Sequence, residues 1–353
     1  MTLAPQPYLN TRVSAMSERL LTSDQIAALC ELSLPDLAER FGLEALLDEQ
    51  LDRRTKSRAV KQALINTLLD ELRVLIRPMN ATEAGLVLAW GRKYALFNLK
   101  TLLRGQLYEL DQSEISANLY ELPAHVRLPQ QELFRAEGVL ELLRKLEQGP
   151  YSLIARQGRE VFEQKREPFA LEAALDQRYY GEMVRRLLQV SNQDGNELKQ
   201  LLGAVLDRVG LLWLLRFRFS YGLSPSETYY QLVPSVRLLH RDRLLRLVNL
   251  ETFDEILAAL PEPLTSRLAG STSLMEVQRR LGGHVTDEAR RTLANGQSGV
   301  ARALAYLILR EHGVLALFSI VQGQLLGLPR ELIEIAVEVS EPNCPADSLA
   351  DAA

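Results

Sequence analysis

Apolar residues recur at helical spacing along nearly the whole chain, and this pattern decides the fold class. "LLTSDQIAALCELSLPDLAERFG" carries Thr22 or Ser23 as a cap, a break near Pro35 and Gly42 as a stop. "SRAVKQALINTLLDELRVLIRPM" reads as a long amphipathic helix ended by Pro78, and "ATEAGLVLAWGRKYALFNLKTLLRG" continues in the same style. "QQELFRAEGVLELLRKLEQGPY" and "LDQRYYGEMVRRLLQVSNQ" are further helices, with arginines on their wet faces. "VRLLHRDRLLRLVNLETFDEILAAL" and "SLMEVQRRLGGHVTDEARRTL" follow. Period-two alternation is scarce. Its best instance, "EIAVEVSEP" at 334–342, fits a helix end equally well. The expectation is an all-α protein.

Proline and glycine mark joints at 121–130, 148–152, 232–236 and 260–266, and the small, polar, acidic end "SEPNCPADSLADAA" reads as a frayed tail. At 353 residues, 47% apolar and 24% charged, the chain can bury a large folded body. A net charge of −4 gives no overall field for nucleic acid. Cys30 and Cys344 form no disulfide framework, so a reducing compartment is expected, and no signal peptide is visible. The most lipid-like stretch, 313–328, carries Gln322 and Gln324 and follows Arg310-Glu311. It is shorter than the roughly 20 apolar residues of a span, so it reads as a core helix.

One sentence is written three times. "YALFNLKTLLRGQLYELDQSEI" (94–115), "LLWLLRFRFSYGLSPSETYY" (211–230) and "LALFSIVQGQLLGLPRELIE" (315–334) are each an apolar helix, a short turn and a glutamate: Glu114, Glu227 and Glu331. Aligning Gly222-Leu223 on Gly327-Leu328 pairs Leu212 with Leu317 and Leu215 with Ile320. Aligning the two "GQL" runs pairs Leu99 with Leu317 and Leu102 with Ile320. The period is near one third of the chain. That is too long for a solenoid hairpin and suits three copies of a several-helix domain.

The motifs of common catalysis are missing from the sequence. There is no phosphate loop, no GxGxxG, no HExxH, no GxSxG and no DDxxD, and the histidines at 125, 240, 284 and 312 are isolated. "HRDRLLRLVN" resembles a kinase loop but places Leu247 where a magnesium-binding Asn is required. Its arginines, Arg237, Arg241, Arg243 and Arg246, instead read as a basic stripe, with Leu238, Leu239, Leu244, Leu245 and Val248 facing inward. Such a stripe is a solvated face or a contact for an acidic protein partner. Glu167, Glu172 and Asp176 look like ordinary helix charges, and Trp90 and Trp213 like core residues. No catalytic, cofactor-binding or metal residue is assigned.

The opening "YLNTRVSAMSERLLT" resembles that of the C subunit family of V-type/A-type ATPases, whose eukaryotic member is the d subunit, in Tyr8, Arg12 and Leu20-Leu21. "YALFNLKTLLRG" resembles the family's first-copy helix, with Asn98-Leu99 and Leu103-Arg104. "ALDQRYYGEM" supplies its aromatic pair, Tyr179-Tyr180, and "LILREHGVLALFSIVQGQLLGLPRELIE" resembles its last repeat, with Glu311 at the acidic position. In the second copy Asp207 matches, but Gly210-Leu211 stands where the family often has Asn-Leu.

The resemblance implies three helical domains, 1–120, 121–234 and 235–340, around a pseudo-threefold axis, with a flexible tail at 341–353. They would form a funnel in the rotor of a rotary ATPase, without catalysis of its own and without a cofactor. Its partners would be the central-shaft subunits and the membrane proteolipid ring, with no nucleic acid and no membrane span of its own. It would sit peripherally on the cytoplasmic side, held by the ring, in ATP-linked H⁺ or Na⁺ transport. The bare residues also fit a soluble helical scaffold that binds a protein in a concave face, or an all-α enzyme with an unrecognised site.

Overall fold

The structure, a computed structural model, describes residues 5–190 and 192–339. Among them there are helices and no strands. Along the chain the helices are α1 (Pro5–Ser17), α2 (Ser23–Leu29), α3 (Leu34–Phe41), α4 (Arg53–Ile76), α5 (Ala81–Gly91), α6 (Lys93–Leu107) and α7 (Gln112–Ala117). Then come α8 (Gln130–Phe134), α9 (Val139–Leu146), α10 (Ser152–Lys165), α11 (Pro168–Gln189), α12 (Asn192–Leu215) and α13 (Pro225–Gln231). The last are α14 (Arg241–Val248), α15 (Phe253–Ala258), α16 (Leu264–Leu268), α17 (Leu274–Asn295), α18 (Gly299–Leu325) and α19 (Arg330–Val339). The chain is all-α, as the spacing of its apolar residues required. The tail from 341, with Cys344, lies outside the described residues.

Helix ends follow local chemistry. Thr22 caps α2, Ser33 caps α3 and Ser224 caps α13, each in a reciprocal capping box with the residue three places on. Pro35 therefore opens α3 rather than interrupting a helix. The described part of 334–342, residues 334–339, is helical and closes α19, in keeping with the all-α expectation. Two expectations change. Residues 130–151 are not one helix, because Gly138 (φ +157) separates α8 from α9. Helix α18 has 27 residues and includes Arg310 and Glu311, which the sequence placed before it. It is long and apolar enough to cross a membrane, yet most of its apolar stretch is buried inside the protein.

The contacts sort the chain into two compact units. The first comprises Met1–Asn80, Asn196–Leu201 and Gly270–Pro342. Its core joins Leu29, Leu37, Val60 and Leu64 from the start of the chain to Val314, Leu317, Ile320 and Ile333 near the end. Each such side chain contributes roughly 1.5–3 kcal/mol on burial. The two glutamines that interrupt the apolar run of α18 are used here. Ser57 Oγ donates to Gln322 Oε1 (2.5 Å), and Gln324 Nε2 donates to the Leu32 carbonyl (2.7 Å). Helix α1 lies on α18, with Leu9 against Gly299. Arg302 fastens it, donating to Asn10 Oδ1 and Ser14 Oγ (2.9 Å each) and to the Leu293 carbonyl (3.0 Å).

The second unit comprises Ala81–Gly195 and Leu202–Ala269. Helix α11 packs on α10, α5 and α6. Trp213 stands in an aromatic row with Tyr180 (centroids 5.6 Å) and Phe217 (6.0 Å). Trp90 and Trp213 are both core residues, as expected.

The turns after α6 and α18 share one geometry. The Leu110 N–H donates to the Gly105 carbonyl and the Leu328 N–H to the Gly323 carbonyl, both at 2.9 Å. Between them Glu109 (φ +53) and Gly327 (φ +69) take the left-handed conformation. This is the Schellman helix ending. A Cβ on Gly105 would fall onto Cδ1 and Cγ1 of Ile115, and one on Gly323 would lie 2.6 Å from Ile333 Cγ1. After α12 the same turn appears at Gly222 (φ +66), with the Leu223 N–H donating to the Phe217 carbonyl at 2.8 Å. There a π-helical turn at Arg216–Ser220 adds one residue. The three glutamates noted in the sequence, Glu114, Glu227 and Glu331, each lie in the first turn of the helix that follows. A carboxylate there complements the helix dipole.

Candidate functional site

The most unusual chemistry in the second unit is a buried charge cluster between α6 and α11. Lys100 and Arg104 are one turn apart on α6, and Glu172 and Asp176 are one turn apart on α11. Lys100 Nζ lies 2.6 Å from Asp176 Oδ2 and 3.7 Å from Glu172 Oε2. The Arg104 guanidinium grips Glu172 with two parallel bonds, Nε to Oε1 at 2.6 Å and Nη2 to Oε2 at 2.7 Å. Burial pushes the Asp176 carboxyl up to about 7, against the pull of the Lys100 ammonium. With Asp176 ionised, the four charges sum to zero. The cluster locks two helices together and presents no reactive group to solvent. The expectation that Glu172 and Asp176 are ordinary helix charges does not hold, because both face basic partners on α6 inside the unit.

Other expected site residues in this unit also make contacts inside it. Asn98 is fully buried in α6 and makes a two-way bond with the Tyr120 backbone, donating from Nδ2 and accepting at Oδ1, both at 2.8 Å. Tyr179 donates its hydroxyl to the Trp90 carbonyl (3.1 Å) and stacks edge-on against Tyr180. Asp207 on α12 accepts the Leu239 N–H (2.8 Å) and the Leu238 N–H (3.2 Å), and Arg237 lies 3.6 Å away. Burial raises the Asp207 carboxyl pKa, with these donors opposing the rise. It organises the loop before α14.

The basic stripe is divided by the fold. Arg237 faces Asp207, and Arg243 donates to the Leu238 carbonyl (2.8 Å). Arg241 and Arg246 are exposed on α14. Leu245, expected to face inward, is exposed, because α14 is a short helix with only its Leu244, Leu247 and Val248 face covered.

In the first unit Tyr8 and Arg12 line an open groove of about 740 Å³ along α1 and α4, together with Arg19, Asp70, Glu71 and Arg73. Arg12 donates to the Tyr8 hydroxyl (2.5 Å), with its guanidinium 5.1 Å from the ring centre. Glu71 at the groove floor is buried and accepts from Tyr306 (2.8 Å), Arg310 (3.2 Å) and Arg19 (3.3 Å). Burial, reinforced by Glu71, raises the Tyr306 hydroxyl pKa. Glu311 is buried in α18. Glu71 carries no sequence signal, because two of its three partners, Tyr306 and Arg310, lie 235 and 239 residues further along the chain. Among the described residues no cluster of His, Cys, Asp or Glu is placed to hold a metal.

This is a helical body whose buried charges fasten helix to helix. Residues 9–335 match the family described as ATP synthase (C/AC39) subunit, and the chain belongs to that family. The resemblance read from Tyr8 to the last repeat therefore holds over nearly the whole chain. Among its relatives is the C subunit of the A-type ATP synthase of Methanocaldococcus jannaschii, 22% identical over 352 aligned positions that cover 96% of this chain and 87% of that one. The A-type ATP synthase C subunit of Methanosarcina mazei is 22% identical, covering 93% of this chain and 91% of that one. The corresponding subunit of Halorubrum lacusprofundi is 25% identical, covering 93% and 95%.

Proposed function

We propose that the chain is a non-catalytic rotor subunit of an A/V-type rotary ATPase, coupling the central shaft to the proteolipid ring in the membrane. Torque passes through it during ATP-linked transport of H⁺ or Na⁺. It is peripheral, on the cytoplasmic side, and held through the ring. Three repeats, 1–120, 121–234 and 235–340, form a funnel around a pseudo-threefold axis, with 341–353 as a tail.

The match along residues 9–335 carries this reading. Two features of the fold support it. Helices α1 and α4 pack on α18, so the first and last parts of the chain share one core. Close-packed helices pinned by buried ion pairs are stiff, and a torque link needs stiffness.

The test is reconstitution. The purified chain is mixed with a detergent-solubilised proteolipid ring and, separately, with the shaft subunits. Binding to both, and loss of ATP-driven ion pumping in a complex assembled without the chain, is the expected result. Full pumping without the chain would sink the proposal, as would failure to bind either partner.

A further inference from the structure

Asp176 uses only one of its two oxygens in the charge cluster. Oδ2 takes the Lys100 ammonium, while Oδ1 is buried and has no hydrogen-bond partner among the described residues. The indole nitrogen of Trp213, near the end of α12, is in the same position. Both side chains are buried, and both border one small cavity inside the second unit. The rings of Phe169, Phe217 and Tyr221 wall it, with Phe169 edge-on to Phe217 (centroids 5.8 Å) and 4.7 Å from Tyr221. Arg216 and Phe217 belong to the π-helical turn, whose extra residue breaks the regular stacking of side chains along α12. A buried acceptor and a buried donor that both go unpaired are costly. Apolar cavities stay dry, but one bordered by such groups takes up water.

The two groups also limit what the occupant is. A carboxylate oxygen asks for a donor, and an indole N–H asks for an acceptor. A metal ion or an ammonium cannot accept from the indole. A halide or a phosphate cannot donate to the ionised carboxylate and would sit against its charge. The space leaves about 10 Å³ for the centre of a water-sized molecule. One buried water needs about 10–15 Å³ by that measure, so a larger ligand does not fit. We infer that this cavity is a binding site for one long-lived water, which donates to Asp176 Oδ1 and accepts from the Trp213 indole N–H. The water extends the charge cluster of α6 and α11 to the end of α12, so that three helices share one polar network. The inference concerns the second unit alone and stands independently of the rotor reading.

The test uses the full-length chain. It has two tryptophans, Trp90 and Trp213, so isotope labelling of tryptophan nitrogen gives two indole N–H signals in an NMR spectrum, and Trp90→Phe assigns them. Water contacts are read from the NOE and ROE between water and each indole proton, whose relative signs separate a long-lived water from a fleeting one. The Trp213 signal of the wild-type chain should show the long-lived sign, in chloride and in sulfate buffer alike. An atomic-resolution crystal structure should show one density peak within hydrogen-bond distance of both Asp176 Oδ1 and Trp213 Nε1. Lys100→Met combined with Asp176→Leu replaces the carboxylate with apolar atoms and should abolish the water contact at the indole, with circular dichroism as the fold check. Absence of a long-lived water contact at Trp213 in the wild-type chain overturns the inference, and that measurement needs no substitution at the site. So does a direct bond from the indole to Asp176, or a contact seen only when chloride is left out, which would make the cavity a halide site. A water contact that survives in the folded Lys100→Met, Asp176→Leu chain overturns it as well, because the water would then owe nothing to the carboxylate.

Discussion

Lys100 Nζ and Asp176 Oδ2 stand 2.6 Å apart with both side chains 3% exposed, joining two helices that are 76 residues apart in sequence at this contact. Two charges withdrawn from water are a weak source of net stability but a costly thing to break. Lys100→Met leaves Asp176 and Glu172 facing one arginine in a dry interior. The expected loss is about 3–5 kcal/mol, read from the denaturant midpoint. Combining it with Asp176→Leu should recover most of that loss, since an apolar pair of similar volume avoids the desolvation cost. A Lys100→Met chain within about 1 kcal/mol of wild type would show that the pair is not buried as described.

Acid and base act on this chain with opposite signs. Burial raises the Asp176 carboxyl from its ordinary 3.8 to about 7. Between those values the folded state holds a proton that the unfolded state has lost, so stability falls as pH rises through the window. The capping carboxylates Asp36, Asp52, Glu227 and Glu276 behave the other way. Hydrogen bonds from their capping partners lower their pKa values. Their contribution is present above the ordinary carboxylate range and is lost as pH drops through the lowered values. Thermal midpoints from about pH 5 to 8 should decline in wild type and flatten in Asp176→Asn. Parallel curves for the two proteins would assign the slope to another group.

The shared turn makes a paired prediction about backbone strain. Glu109 holds φ +53, where a side chain is strained, while Gly327 holds φ +69 in the equivalent place. Glu109→Gly should therefore stabilise by about 1 kcal/mol, and Gly327→Ala should destabilise by about as much. Gly105→Ala acts through a different cause, the collision with Ile115. It should cost about 1–3 kcal/mol as overpacking. Equal, small effects of all three on the unfolding midpoint would contradict the turn geometry.

Local chemistry was legible in the sequence, and long-range pairing was not. Thr22, Gly42 and Pro78 mark helix ends at or within a residue or two of where they fall, because capping and φ restriction act within one turn. The aligned residues Leu99, Leu102, Leu212, Leu215, Leu317 and Ile320 are all buried, since an apolar stripe at helical spacing must find cover. Glu172 and Asp176 escape notice because their partners lie on α6, and periodicity carries no information across such a gap. A signal is present, however. Lys100 and Arg104 sit four apart on an apolar helix, and Glu172 and Asp176 sit four apart on another, a matched ladder of opposite charge. Leu245 misleads for a related reason. Its helical position is apolar in pattern, but whether a partner covers that face is decided elsewhere in the chain.

The hold of Arg302 on the N-terminal helix gives a test of how the chain's beginning is anchored. Its guanidinium reaches Asn10 and Ser14 on α1 and the Leu293 carbonyl near the end of α17. Beside it, Glu197 accepts the Gln297 and Ser298 backbone N–H groups (2.9 and 3.1 Å), fixing the entry to α18. Arg302→Met keeps much of the aliphatic stem but removes every charge-assisted donor. Helix α1 is only 13 residues long, so it should open locally without global unfolding. Amide exchange within residues 8–17 should quicken about tenfold, equivalent to about 1.4 kcal/mol. Amides of α4 and of the buried half of α18 should keep their wild-type protection. Uniform quickening across the first unit would mean that α1 is instead an inseparable part of the core, held by Leu9, Val13 and Met16 rather than by Arg302.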